Sequence, residues 1–156
     1  MIEAAIPGRG VLRIRHLVLD YNGTLACDGR IFAGVKELLN VLAEQAEVHV
    51  LTADTFGEAQ SELEGAPCRL SVLPADNQDA AKAEYVKRLG ADGTACVGNG
   101  RNDQLMLEAA ALGIAVIQEE GAAADAVLSA DVVCKDIVSA LELLRNSLRL
   151  VATLRS

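Results

Sequence analysis

The sequence predicts an α/β protein, a three-layer, Rossmann-like sandwich with a mainly parallel sheet, folded as one domain over residues 1–156. Three observations predict it. Short runs rich in β-branched residues alternate with segments of helical spacing, as in a chain of β-α units. The strand-like runs are apolar on both faces, the mark of a sheet covered on each side. The chain of 156 residues is long enough for one sizeable core and too short for two ordinary domains.

The strand runs are, in order, Val11 to Leu19, Val48 to Leu51, Leu70 to Leu73, Thr94 to Val97, Ile114 to Ile117 and Asp131 to Cys134. Between them, helical spacing marks Gly34 to Ala46, Thr55 to Glu64, Gln78 to Leu89, Gln104 to Leu112, Ala122 to Leu128 and a long segment from Asp136 towards Arg155. Thr55-Phe56-Gly57-Glu58 fits a capping box, Asn102 or Asp103 can cap the helix that begins at Gln104, and Gly90 and Gly113 are helix stops. In the last segment Ile137, Leu141, Leu144, Leu148 and Val151 form one apolar stripe that is expected to pack on the sheet.

Composition excludes several classes of function. Lys and Arg number 14 against 22 Asp and Glu, a formal charge of −8, with no basic block to neutralise phosphates, so neither a nucleic-acid nor an anionic-membrane partner is expected. Apolar residues make up 51% of the chain but aromatic ones only 3%, so the core is aliphatic and there are no rings on which bases could stack. No apolar run approaches the roughly 18 residues of a membrane span, and the expected location is cytoplasmic. Cys27, Cys68, Cys96 and Cys134 form no C-x-x-C pair and read as buried thiols rather than a disulfide frame or a zinc site. His16 and His49 have no second histidine or cysteine at ligand spacing and read as packed or hydrogen-bonded rings.

Ligands of open α/β sheets bind beyond the carboxyl ends of the strands. Four polar clusters fall there. Leu17-Val18-Leu19-Asp20-Tyr21-Asn22-Gly23-Thr24 is an apolar strand ending in an acid that can act as nucleophile or metal ligand, although Asn22-Gly23 is equally a hairpin signal. Val48-His49-Val50-Leu51-Thr52 ends in a hydroxyl able to donate to a phosphate oxygen. Lys82 lies on the apolar stripe of Val86 and Leu89, where a snorkelling stem is the cheaper explanation for a lysine taken alone. Val97-Gly98-Asn99-Gly100-Arg101-Asn102-Asp103 is a strand, a glycine-rich turn and an acid at a helix start. It is no dinucleotide loop, because Asp103 stands where the third glycine would be.

Taken in order, Asp20-Tyr21-Asn22-Gly23-Thr24, Thr52, Lys82 and Gly98-Asn99-Gly100-Arg101-Asn102-Asp103 resemble motifs I to IV of the haloacid dehalogenase (HAD) superfamily. The last is similar to the Gly-Asp-Gly-x-Asn-Asp hinge motif of P-type ATPases, so the chain resembles the soluble P-type-ATPase-like branch. The resemblance implies a Mg²⁺-dependent phosphohydrolase in which Asp20 attacks phosphorus to form an aspartyl-phosphate. Thr52 and Lys82, with Asn22 and Gly23, would hold the phosphoryl group. Asp20, Asn22, Asn99 and Asp103 would hold Mg²⁺. Such an arrangement satisfies electrostatics, since a phosphate dianion approaches two carboxylates only if cations offset the repulsion.

Two positions depart from the superfamily's phosphatases: Asn22 replaces the second aspartate of motif I, which serves there as general acid and base, and Asn99 replaces the first acid of motif IV. Turnover is therefore expected to be slow, and two other readings stand beside the enzyme. One is a regulator that keeps the phosphate and metal pocket for binding or as a phosphoacceptor switch; the other is a structural partner-binding domain. The intervals from Thr24 to Thr52 and from Thr52 to Lys82 are consumed by elements of the core, leaving no room for a cap. The resemblance thus implies a capless protein whose open site takes a phosphorylated substrate and is covered by a large substrate or by a second copy in a homo-oligomer. Asp28 and Asp54 read as turn or capping residues.

Overall fold

The computed structural model describes residues 1–54 and 57–156. The proposed capping box at Thr55-Phe56-Gly57-Glu58 therefore begins on residues outside the described ones. The elements are, in chain order, β1 (Ile2–Ile6), β2 (Gly10–Ile14), β3 (His16–Asp20), β4 (Ala26–Cys27), β5 (Arg30–Ile31), α1 (Val35–Ala43), β6 (Glu47–Thr52), α2 (Glu58–Glu62), β7 (Arg69–Val72) and α3 (Gln78–Leu89). They continue with β8 (Thr94–Gly98), α4 (Gln104–Ala109), β9 (Leu112–Val116), α5 (Ala124–Ser129), β10 (Val132–Cys134), α6 (Ile137–Arg145) and α7 (Ser147–Leu154).

The central sheet has six parallel strands in the order β10-β9-β8-β3-β6-β7. β3 lies inside, hydrogen-bonded to β6 on one side and β8 on the other, so Asp20 at its tip faces the ends of both neighbours. On one face Leu17, Leu19, Val48, Val50, Val97 and Ile114 pack with Leu39 and Leu42 of α1 and Leu141 and Leu144 of α6. On the other, Val18, Leu51 and Cys96 pack with Val86 of α3, Met106 and Leu107 of α4 and Ala126 of α5. Both faces are closed by aliphatic side chains, as the composition requires. The four cysteines are free, but only Cys96, in the middle of β8, is buried as expected, and burial pushes its thiol up; Cys27, Cys68 and Cys134 lie at or next to element ends and are half-buried.

Several boundaries differ from the sequence reading. The run from Val11 to Leu19 is two strands, split at Arg15: β2 turns back on β1 as an antiparallel hairpin, and β3 enters the central sheet. The alternation of Ile2, Ala4 and Ile6, all buried, with exposed Glu3 and Ala5 is a period-two signal that could have located β1. The long carboxy-terminal helix breaks at Asn146, whose backbone is non-helical, so that α6 covers the sheet while Leu150 of α7 buries in the same apolar cluster as Ile2, Ala4 and Ile6 of β1. Gly113 stops no helix. It lies inside β9, where a Cβ would sit 2.5 Å from the Leu107 carbonyl oxygen, so the glycine allows α4 to approach the strand.

The hairpin after motif I is also displaced. Its turn is Asp28-Gly29, with φ of 52° and 81°, joining β4 to β5. Two consecutive left-handed residues define the tight turn that Asp-Gly favours. Asn22-Gly23 instead opens a compact turn in which the Tyr21 carbonyl accepts from Thr24, Leu25 and Ala26. The buried Tyr21 hydroxyl donates to the Gly29 carbonyl at 2.8 Å and ties the hairpin to the end of β3.

Candidate active site

Asp20 occupies the last position of β3 and Thr52 the last of β6, because a run of apolar residues carries each strand through the core to the edge of the sheet. α3 runs back across the sheet and presents Lys82 one turn before the core residue Val86. The glycine-rich turn after β8 brings Asp103 underneath: a Cβ at Gly98 would sit 2.5 Å from the Asp103 carboxyl carbon, so only glycine permits this approach. Asp103 does not cap α4, and neither does Asn102. The Asp103 Oδ2 turns back to accept from the backbone N–H groups of Asn99 and Gly100 at 3.0 and 2.9 Å, and the Asn102 amide donates to Gln78 at 2.9 Å.

These side chains meet. The Lys82 ammonium donates to Asp20 Oδ1 at 2.8 Å and to Asp103 Oδ1 at 2.7 Å, forming a buried triad in which one cation bridges two carboxylates. With 1% of its surface exposed, Lys82 does not snorkel. The Thr24 hydroxyl bridges Asp20 Oδ2 at 3.0 Å and Asn99 Oδ1 at 3.3 Å, and Asn99 donates to the Gly121 carbonyl. Thr52 Oγ1 accepts from the Asp54 backbone N–H at 3.0 Å, which leaves its own O–H free to donate. Asp54 in turn accepts from the Ala59 N–H at 2.7 Å, at the start of α2. Apart from His49 and Thr94, every buried polar or charged side chain among the described residues belongs to this cluster.

A cavity of about 290 Å³ opens above the triad, lined by Asp20, Asn22, Thr52, Gln78, Asn99 and Glu120 among others. Larger hollows exist elsewhere on the surface, such as the one beside Arg15 and Cys68, but they hold no comparable convergence of buried polar groups. Gly23, at φ 81°, lies so close to Glu120 and Asn99 that a side chain there would strike both. Gln118 donates to the carbonyls of Gly23 and Thr24 at 2.9 and 2.6 Å, and accepts from Ile137, locking the motif I turn to the loop after β9. Glu120 and Gln118 were not found from sequence: they follow a strand end, as the other site residues do, but no motif marks them.

The electrostatics follow from one cation serving two acids. Burial and then the Asp103 charge push Asp20 up to about 7, although the Lys82 ammonium and the hydrogen bonds from Lys82 and Thr24 pull the other way. Burial works against the Lys82 charge, but the attraction of Asp20 and Asp103 outweighs it and holds the pKa above the ordinary lysine value. The lysine is thus cationic, and the site still carries surplus negative charge that favours a second cation. The donor set of carboxylates, amide oxygens and backbone carbonyls is all oxygen, which suits a hard cation such as Mg²⁺. Of the residues expected at the phosphate and metal positions, Asp20, Asn22, Thr52 and Asn99 line this cavity, Lys82 and Asp103 join Asp20 in the triad beneath it, and Gly23 lies beside Asn99 and Glu120.

Geometry and comparison agree on the class. No family model matches the chain. Among solved structures, 3-deoxy-D-manno-octulosonate 8-phosphate phosphatase from Moraxella catarrhalis, determined with magnesium ion, phosphate ion and KDO, superposes with a TM-score of 0.71 at 15% identity, covering 91% of this chain and 94% of that one. A HAD superfamily (subfamily III A) hydrolase structure from Legionella pneumophila gives a TM-score of 0.68 at 18% identity over 92% and 88% of the two chains. The chain therefore has the haloacid dehalogenase fold, and the described residues include no cap domain.

Within that fold it belongs to one family with uncharacterized protein MJ0072 of Methanocaldococcus jannaschii, to which it is 56% identical over 39 residues, 25% of this chain and 89% of that protein. Uncharacterized protein MJ0073 of the same organism is 56% identical over 59 residues, 38% of this chain; the match spans 63% of that relative's length. No described helix is long and apolar enough to cross a membrane.

Proposed function

We propose that the chain is a phosphomonoesterase that works through Asp20, with Mg²⁺ as cofactor. The observation that carries this reading is the bridge from Lys82 to both Asp20 and Asp103, at 2.8 and 2.7 Å, at the mouth-facing end of the sheet. Asp20, Asn22, Asn99 and Asp103 would hold Mg²⁺, which when bound supplies the charge that lets a phosphate dianion approach the two acids. Asp20 is the nucleophile: its carboxylate oxygen bonds to phosphorus, the ester oxygen leaves, and an aspartyl-phosphate results. Thr52 donates its free O–H, and Lys82 its ammonium, to phosphoryl oxygens, so that negative charge is met by fixed donors. Hydrolysis of the aspartyl-phosphate by water then returns Asp20.

Glu120 stands beside Asn99, where the motif has lost an acid, and among the described residues is the one carboxylate besides Asp20 that lines the cavity. It offsets that loss by restoring negative charge on the metal side. The cavity is small for an organic ligand, so it admits the phosphoryl group and leaves the rest of the substrate outside.

Asn22 favours a second reading, a phosphoacceptor switch, because an amide can neither protonate the leaving group nor activate water. One experiment separates them. With Mg²⁺ and an aryl phosphate, the enzyme reading expects slow turnover that D20N abolishes. If hydroxylamine-labile phosphate accumulates on the wild type without release, the switch reading replaces it; if neither occurs, both fail.

A further inference from the structure

At the opposite end of β3 and β6, about 13 Å from Asp20 by strand rise, lies a second cluster that the phosphoryl chemistry does not use. His16 and Glu47 are paired across the two strands, and His49 follows Glu47 by two residues, so all three side chains share one face of the sheet. The His16 Nδ1 and His49 Nε2 atoms are 3.3 Å apart. Glu47 Oε2 lies 3.9 Å from the first and 3.8 Å from the second.

From this geometry we infer that His16, Glu47 and His49 form a binding site for a transition metal of the Zn²⁺ class. Tetrahedral zinc with nitrogen ligands at about 2.0–2.1 Å requires a nitrogen-to-nitrogen edge of roughly 3.3 Å, the separation already present. Glu47 needs a shift of about half an ångström to complete the face, and its side chain, half-exposed at the amino end of β6, has room to make it. Two imidazoles and one carboxylate select borderline metals over Mg²⁺ or Ca²⁺, which prefer all-oxygen cages.

The surroundings support the site. The other ring nitrogen of His49, Nδ1, is 2.9 Å from the Tyr85 hydroxyl. In the metal-bound form Nδ1 carries the proton and donates to that hydroxyl, so Nε2 presents its lone pair, which is the arrangement that orients metal-ligating histidines. Tyr85 is held in place by α3, the helix that also carries Lys82. Arg69, 3.6 Å from Glu47, competes for the carboxylate and is exposed enough to withdraw. Three protein ligands would leave a fourth position to water, and the metal would link the amino ends of β3 and β6.

The test titrates metal-free, full-length protein with Co²⁺ in the presence of millimolar Mg²⁺, which occupies oxygen-donor sites. The wild type is expected to bind one equivalent with the visible bands of tetrahedral cobalt, and Zn²⁺ is expected to bleach them. H16Q should abolish the bands. E47Q, altering a side chain that is 54% exposed, should weaken Co²⁺ binding about tenfold or more. Absence of the bands in the wild type, or their persistence in H16Q or undiminished affinity in E47Q, overturns the assignment. Because the readout is cobalt absorption and not turnover, its failure leaves the proposed phosphatase activity untouched, and the reverse holds equally.

Discussion

Asn22 decides how fast the proposed chemistry can run. Asn22 lines the cavity with Asp20, but an amide holds no proton at neutral pH that it could transfer to a departing oxygen. The leaving group must then depart as its own anion, so aryl phosphates should be cleaved far faster than alkyl phosphates. Restoring the acid with N22D is expected to raise kcat by about 10²–10⁴-fold and to flatten that dependence. A series of aryl and alkyl phosphates measured against leaving-group pKa checks both parts. Equal rates for the two enzymes would show that proton transfer does not limit turnover.

Lys82 illustrates the same point about position. Its neighbours Val86 and Leu89 place it on an apolar stripe, and local pattern alone favours a solvated head. Two acids distant in sequence make burial of its charge tolerable, and these come from the ends of other elements.

Among the elements, α6 shows how a single cap anchors a face of the sheet. Asp136 accepts from the Ser139 backbone N–H at 2.7 Å, which satisfies one of the orphan donors of the helix, and Ile137, Ala140, Leu141 and Leu144 follow as the buried stripe. The Ser139 hydrogen bond lowers the pKa of Asp136 below the ordinary aspartate value of 3.8. Near that pH the unfolded state binds more protons than the folded one, so stability rises with pH there. The contribution is full at neutral pH and is lost as pH falls below the ordinary aspartate range. D136A should cost about 1 kcal/mol in urea unfolding at pH 7. The deficit should shrink at pH 3, and a deficit constant with pH would show that the carboxylate charge plays no part.

At the scale of the whole molecule, the site is a local sacrifice of stability. Two carboxylates and one ammonium are buried together, and burial of Asp20 beside Asp103 holds its folded pKa at about 7 against an ordinary 3.8. Between those values the folded state binds the extra proton, so stability declines as pH rises through that window. In metal-free protein D20N removes the charge, while the amide oxygen can still accept from Lys82 and its NH2 can donate to the Thr24 hydroxyl. It should be more stable than the wild type at pH 8 by about 1 kcal/mol or more, a rise in Tm of at least roughly 2–4 °C. Below about pH 3.8, where Asp20 is protonated in the folded and the unfolded state alike, the two proteins should converge. Calorimetry at the two pH values in the presence of a chelator measures this, and a less stable D20N at pH 8 would contradict it.

The amino-acid sequence by itself determined the alternation of strands and helices, the coverage of both sheet faces, and the presence of Asp20, Thr52, Lys82 and Asp103 at strand ends or helix starts. These are local properties: apolar runs, helical period and turn residues act over a few positions. The split at Arg15, the break at Asn146 and the role of Gly113 were not legible, because each depends on which distant element a segment packs against. Tertiary structure alone decided that Lys82 bridges two acids, that Asp103 turns back instead of capping α4, and that Glu120 borders the cavity. It also brought His16 to within hydrogen-bonding distance of His49. Sequence spacing missed that pair because ligands meeting across parallel strands are set by sheet register, and register is fixed only when the faces of the sheet close over the core.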